Sequence, residues 1–425
     1  MTGGFVGGNT HIDPPNKTGN SLLTVGANIV RPQASLEKRG CPSGQWNLVG
    51  GDAHIAPLLF KKVNHLTVGA NIVRPSLLSQ RRCPTGRRSL SSPYYTMFPK
   101  EKKDVFMIRW KKLFTALPLL LTACGTPAET AQTDTIWVMD TACTISLHGG
   151  DTAETVSTLQ TLSAALDSYD DDSAVSRLNR EGTLSGENAV CPLVTQTAAL
   201  QQQYGSRVDL TVGRLTKLWG ITTDAPHVPT AAELAEVLPT ISPSHLTVRD
   251  NTVALTDGAQ LDCGAVGKGY ALDQVRAALD ASGETTWGTV SMTSSILCYG
   301  EKPGGEPFRI EIRDPDSNGV LGTVSTTSCL LSTSGGYERY FIADDGKKYC
   351  HILDPRTGMP AESDLTTVTV FCDSGIKSDF LSTLIWMEGT AGLEQHLHQE
   401  DYQIVAQDTA GTLYLSDNID FTPSQ

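Results

Sequence analysis

The chain has no apolar run long enough to span a bilayer comfortably. Its apolar stretch from Leu113 to Ala123 has only signal-peptide length, which argues against a transmembrane anchor. Positive charge is scarce from Cys124 onward, where 16 Lys and Arg face 41 Asp and Glu, a net of −25. So acidic a domain argues against nucleic acid as a partner. Cys143, Cys191, Cys263, Cys298, Cys329, Cys350 and Cys372 include no CxxC pair, so neither a zinc ribbon nor a thioredoxin-type motif is supported. Seven cannot all pair. They are expected as small buried apolar residues, although an exported protein can hold a disulfide.

The first part of the chain is different in kind. Residues 1 to 106 hold 14 Lys and Arg against 5 Asp and Glu, and they repeat Leu23-Thr-Val-Gly-Ala-Asn-Ile-Val-Arg-Pro32 as Leu66 to Pro75. Two copies are too few for a solenoid. Without a sustained amphipathic period the segment buries too little surface to offset its ordering entropy, so it is expected to be a disordered extension outside the functional protein. Met107-Ile-Arg-Trp-Lys-Lys112 is then a basic head, Leu113 to Ala123 the apolar run, and Leu121-Thr-Ala-Cys124 a lipobox. Residues 107 to 123 therefore read as a lipoprotein signal, Cys124 as the lipidated residue, and 124 to 134 as a tether.

Residues 135 to 425 carry the folded domain. Its short strands and helices lack a regular βαβ rhythm, which gives an α+β class with mixed and antiparallel sheets and flanking helices. Paired strands are expected at Ile136 to Met139 and Thr144 to Leu147. Further strands are expected at Leu246 to Arg249, Val253 to Leu255, Thr289 to Ser291, Ile296 to Tyr299, Phe308 to Arg313 and Thr366 to Phe371. Val156, Leu159, Leu162 and Leu166 mark one helix face, and Thr230 with Glu233 has the spacing of a capping box.

The densest stretch is Leu261-Asp-Cys-Gly-Ala-Val-Gly-Lys-Gly-Tyr-Ala-Leu-Asp273. A strand ending near Leu261 should turn at its glycines into a helix that Gly283 stops. Free N–H groups at that helix start, with Lys268, favour an anion. It is not a Walker A loop: two residues separate Gly264 from Gly267, and Gly269 follows the lysine. Farther on, Asp379 and Thr383 stand one helical turn apart. They could hold a hard cation, or serve the helix as a favourable charge and a hydroxyl bonded back to a carbonyl.

Seven segments carry more detail than patterning needs. They are Trp137 to Thr141, Tyr169 to Asn179, Val208 to Gly213 with Leu218-Trp-Gly220, the stretch above, Thr333 to Phe341, His351-Ile-Leu-Asp-Pro-Arg-Thr-Gly-Met-Pro-Ala361, and Ser378 to Thr383. Together, and in order, the domain resembles the ApbE family of FAD:protein FMN transferases. The resemblance implies an ApbE-like, T-fold-related two-lobed domain that moves FMN from FAD to a Thr or Ser hydroxyl. It implies Mg²⁺ on Asp379, Thr383 and the Ala265 carbonyl, and His351 as general base. FAD contacts fall at Met139, Tyr169, Asp209, Leu210, Thr211, Asp262, Lys268 and Asp354. The implied partner is an acceptor flavoprotein of a membrane redox complex or exported electron-transfer chain, met outside the cytoplasmic membrane. FAD hydrolysis to FMN and AMP, or flavin binding without catalysis, are the alternatives. One departure stands out: Thr293 and Ser294 occupy positions where the family commonly has a Gly-Gly pair.

Overall fold

A computed structural model describes Leu22–Val25, residues 130–317 and residues 319–424. The signal, Cys124 and most of the N-terminal extension lie outside the described residues. Leu22–Val25 is described, and its backbone pairs in parallel with Phe308–Arg313.

Eight strands build the central sheet: β1 (Gln132–Val138), β2 (Thr141–His148), β3 (Trp287–Ser291), β4 (Ser295–Gly300), β5 (Cys329–Gly335), β6 (Leu365–Cys372), β7 (Tyr402–Asp408) and β8 (Leu413–Leu415). Each lies beside its predecessor, and every pairing is antiparallel. The sheet is thus a meander with long excursions, and the excursions carry everything else. Eight helices are described: α1 (Ala153–Leu166), α2 (Ala174–Glu181), α3 (Val190–Tyr204), α4 (Gly213–Trp219), α5 (Ala231–Val237), α6 (Gly267–Ser282), α7 (Gly375–Glu388) and α8 (Thr390–Leu397). Six of them lie between β2 and β3.

The two-residue period of the strands divides the core. On β4 and β5, Leu297 and Leu330 face the helices, whereas Ile296, Cys298, Cys329 and Leu331 face a smaller sheet. That smaller sheet contains Phe308–Arg313, Val320–Thr326 and Phe421–Pro423, and it buries Phe308, Ile310 and Ile312. The helix side packs α6 and α7 through Leu272, Val275, Phe380 and Leu384. A third core joins α4 to a hairpin of Tyr340–Ile342 and Lys348–Cys350. There Trp219 is fully buried against Tyr349 and donates its indole N–H to the Gly358 carbonyl at 2.7 Å. Burying that ring stabilises the fold by roughly 3 kcal/mol. All seven described cysteines are free and buried, as small apolar residues are.

Local signals act as their chemistry requires. Thr230 and Glu233 form the reciprocal capping box on α5, and Gly283 ends α6 in the left-handed conformation. The expected strand at Leu261 is not formed. Gln260 makes only an isolated bridge to Val212, and the side chain of Asn179 satisfies Leu261 instead. Among the described residues no helix is long and apolar enough to cross a membrane.

Candidate active site

The turn before α6 is built by Asp262. Its Oδ1 accepts from Gly264 N at 2.8 Å, and its Oδ2 accepts from the hydroxyls of Thr216 (3.1 Å) and Ser168 (3.2 Å). All three bonds fix the backbone that enters the helix.

Helices α6 and α7 then cap each other. Asp379 on α7 accepts from Gly269 N at 2.9 Å, while Asp273 on α6 accepts from Gly375 N at 2.8 Å and Ile376 N at 2.9 Å. Each carboxylate answers the free amides of the other helix's first turn. The glycines permit this approach. A Cβ on Gly269 would lie 2.0 Å from the Gly375 carbonyl oxygen, and one on Gly375 would lie 2.2 Å from that of Gly269. Gly269, expected only as part of the turn into an anion-favouring helix start, therefore serves helix packing.

This exchange bears on the cation. Gly269 N, whose helical partner would be the Ala265 carbonyl, donates to Asp379, which leaves that carbonyl available at the cavity wall. Thr383 does not bond back to its helix. Its hydroxyl lies 3.1 Å from that of Ser334 on β5, which sets aside the local reading of this threonine. Burial raises the pKa of Asp379, and Lys268 opposes the rise. Carboxylate, hydroxyl and carbonyl are hard oxygen donors and fit Mg²⁺, which takes few protein ligands and keeps places for water and phosphate. Among the described residues no group of three or more His, Cys, Asp and Glu could hold a metal ion.

His351 closes the hairpin. Its Nδ1 stands 3.1 Å from the Arg339 carbonyl, an acceptor, so Nδ1 carries the proton and Nε2 keeps a lone pair. Burial, with the charges of Arg339 and Lys268, holds its pKa down to about 3. The imidazole is neutral at physiological pH.

These groups share one cavity of about 1300 Å³. Met139, Tyr169, Asp209, Asp262, Ala265, Lys268, His351, Asp379 and Thr383 all line it, although they span more than two hundred residues of sequence. Leu210, Thr211 and Asp354 do not. Leu210 is buried and its carbonyl accepts from Asp262 N, while Thr211 is turned onto Asp209 with both its N–H and hydroxyl at 2.8 Å. Asp354 is saturated by Arg356 at 2.7 Å and Arg207 at 3.1 Å. Burial pushes its pKa up, but these arginine bonds prevail and hold it at about 2. Its carboxylate braces the turn and is not free for flavin.

Two features escape sequence reading. Glu338 lines the cavity with its Oε1 enclosed and unpaired. Burial and the nearby Asp379 push its pKa up to about 7, against the charges of Lys268 and Arg339. Its position within the Thr333 to Phe341 segment is the only signal it leaves in sequence. The second is the backbone of Thr293, a residue that the sequence flags without showing its conformation: Thr293 stands at φ 66, which favours glycine, and its hydroxyl lies 2.9 Å from that of Thr141. The departure from Gly-Gly thus keeps a glycine-like backbone.

An antiparallel α+β domain whose cavity brings a lysine at a helix start beside a set of oxygen donors defines a class suited to phosphorylated ligands. A profile of the ApbE family matches residues 139–406, and the chain belongs to that family. A Salmonella typhimurium relative called FAD:protein FMN transferase is 30% identical over 248 residues, covering 55% of this chain and 70% of the relative. A Vibrio cholerae relative of that name is 30% identical over 300 residues, covering 67% and 88%. The crystal structure of a Thermotoga maritima ApbE protein superposes with a TM-score of 0.62 at 25% identity, over 68% of this chain and 97% of that one. A Pseudomonas stutzeri flavinyl transferase, in its apo form, gives 0.60 at 28% identity over 68% and 95%.

Proposed function

We propose that this chain transfers the FMN half of FAD to a Ser or Thr hydroxyl of a partner protein, releasing AMP. The observation that carries the reading is the convergence of His351, Lys268 and the Ala265–Asp379–Thr383 oxygens on one cavity. The activity named for the relatives supports it.

The residues divide the work. The Lys268 ammonium, at the start of α6, binds and orients the diphosphate. Asp379, Thr383 and the Ala265 carbonyl would hold Mg²⁺, which when bound neutralises diphosphate charge and eases departure of AMP. His351 Nε2 takes the proton of the incoming hydroxyl, whose oxygen bonds to the FMN phosphorus. The bond from that phosphorus to the bridging oxygen breaks, and its electron pair leaves with AMP. Such a reaction needs positioning and charge neutralisation more than covalent help. Seating the diphosphate also offsets the charges of Lys268 and Arg339 that depress His351, so the ring becomes a stronger base when substrate is present.

The test separates binding from chemistry. His351→Asn should bind FAD within a few-fold of the parent yet lose transfer by about two orders of magnitude or more; unchanged turnover would exclude the role. Asp379→Ala should weaken Mg²⁺ binding measured by calorimetry, and unaltered affinity would remove the metal assignment.

The setting of the reaction rests on sequence. We propose that Cys124 carries lipid, that the domain works outside the cytoplasmic membrane, and that the acceptor is a flavoprotein of a membrane redox complex or exported electron-transfer chain.

A further inference from the structure

We infer that the outer edge of Tyr340–Ile342 is the docking strand for the acceptor, which adds an extended segment to it and so delivers its hydroxyl to His351. The inference rests on the transfer reading above.

The hairpin ladder fixes which groups are free. Tyr340 lies opposite Cys350, Phe341 opposite Tyr349 and Ile342 opposite Lys348. His351 N donates to the Arg339 carbonyl at 3.0 Å and Ala343 N to that of Lys347 at 3.1 Å. In an antiparallel pair the bonded positions alternate, so Arg339, Phe341 and Ala343 point their backbone groups at the partner strand. Tyr340 and Ile342 point theirs away. Among the described residues this sheet has only two strands, so that edge is open.

The side chains on this edge are apolar and exposed. Ile342 is 65% and Tyr340 43% accessible. Of the six large hydrophobic side chains exposed among the described residues, five line the cavity, these two among them. Exposed apolar groups gathered at one mouth mark an interaction surface.

The occupant follows from position. The edge belongs to the hairpin that holds the base, for the imidazole of His351 reaches across to Arg339, the residue before Tyr340. A strand added there would run about 4.8 Å from Tyr340–Ile342 and about twice that from the strand leading to His351, so the hydroxyl belongs to the end of the segment that passes Arg339 into the cavity that the ring lines. Main-chain bonds would supply affinity, and apolar side chains of the segment would rest on Tyr340 and Ile342. Such a segment is extended, carries one hydroxyl and alternates with apolar residues.

Ile342→Pro provides a clean probe, because it removes an outward N–H and no hairpin bond. Purified full chain would be incubated with FAD, Mg²⁺ and a library of short peptides bearing one central Thr and random flanks, and labelled peptides recovered by flavin fluorescence. The proposal expects the parent to label a subset, and Ile342→Pro and Ile342→Asp to lose roughly tenfold in kcat/KM for that subset. FAD affinity and circular dichroism should not change. Equal labelling by the variants overturns the proposal. So does a parallel loss of FAD affinity, which would place flavin on this edge, or a parent dimer that Ile342→Pro dissociates, which would place a second copy there. Release of AMP with no labelled peptide overturns the docking strand but leaves the cavity chemistry standing. Absence of AMP as well overturns the transfer reading.

Discussion

His351 shows how a single side chain is set for its task by its surroundings. An isolated imidazole titrates near 6.5, but burial beside Arg339 and Lys268 holds this one near 3. Below 6.5 the unfolded chain takes up a proton that the folded chain refuses, so this group's contribution to stability is lost as pH falls from about 6.5 toward 3. In the ligand-free protein the His351 ring should show no chemical-shift titration by NMR between pH 5 and 8. An inflection near 6.5 would mean that the ring is open to solvent. Thr293 gives a second test. A left-handed backbone costs an L side chain roughly 1–2 kcal/mol, so Thr293→Gly should be more stable than Thr293→Ala by about 1 kcal/mol in denaturant melts. Equal stability would show that the turn relaxes.

At the scale of elements, α6 and α7 behave as one unit. Their backbones touch at Gly269 and Gly375, and each carboxylate caps the other helix. Gly269→Ala should therefore do more than lower stability, by an expected 3 kcal/mol or so. By separating the helices it should also weaken Mg²⁺ binding, although residue 269 donates no metal ligand. Calorimetric affinity equal to that of the parent would deny the coupling. This unit is only half legible in sequence. The helices follow from apolar spacing and from Gly283, and strands such as Leu246–Arg249 and Phe308–Arg313 follow from alternation to the residue. The exchange of Asp273 and Asp379 is not legible, since a cap on a distant helix leaves no local pattern. Gly269 reads only as part of the turn into α6 for the same reason.

For the whole molecule, the meander explains what a linear reading reaches and what it misses. Sequential antiparallel strands make the α+β class readable, but long excursions bring together residues such as Asp262, Glu338 and Asp379 that no spacing relates. Family resemblance supplies most of that grouping. It also places Asp354 at the flavin, whereas in the structure Arg207 and Arg356 pair with that carboxylate. Glu338 is missed because an unpaired buried oxygen is visible only once the fold encloses it. A domain this acidic gains from a metal and Lys268 beside an anionic substrate. The most direct measurement is therefore AMP release from FAD with Mg²⁺, with and without an acceptor protein, alongside covalent flavin fluorescence on that protein. The account expects AMP and protein-bound flavin to rise together only with acceptor present, and both to stop on chelation. AMP released at the same rate without acceptor, with no flavin on protein, would contradict it.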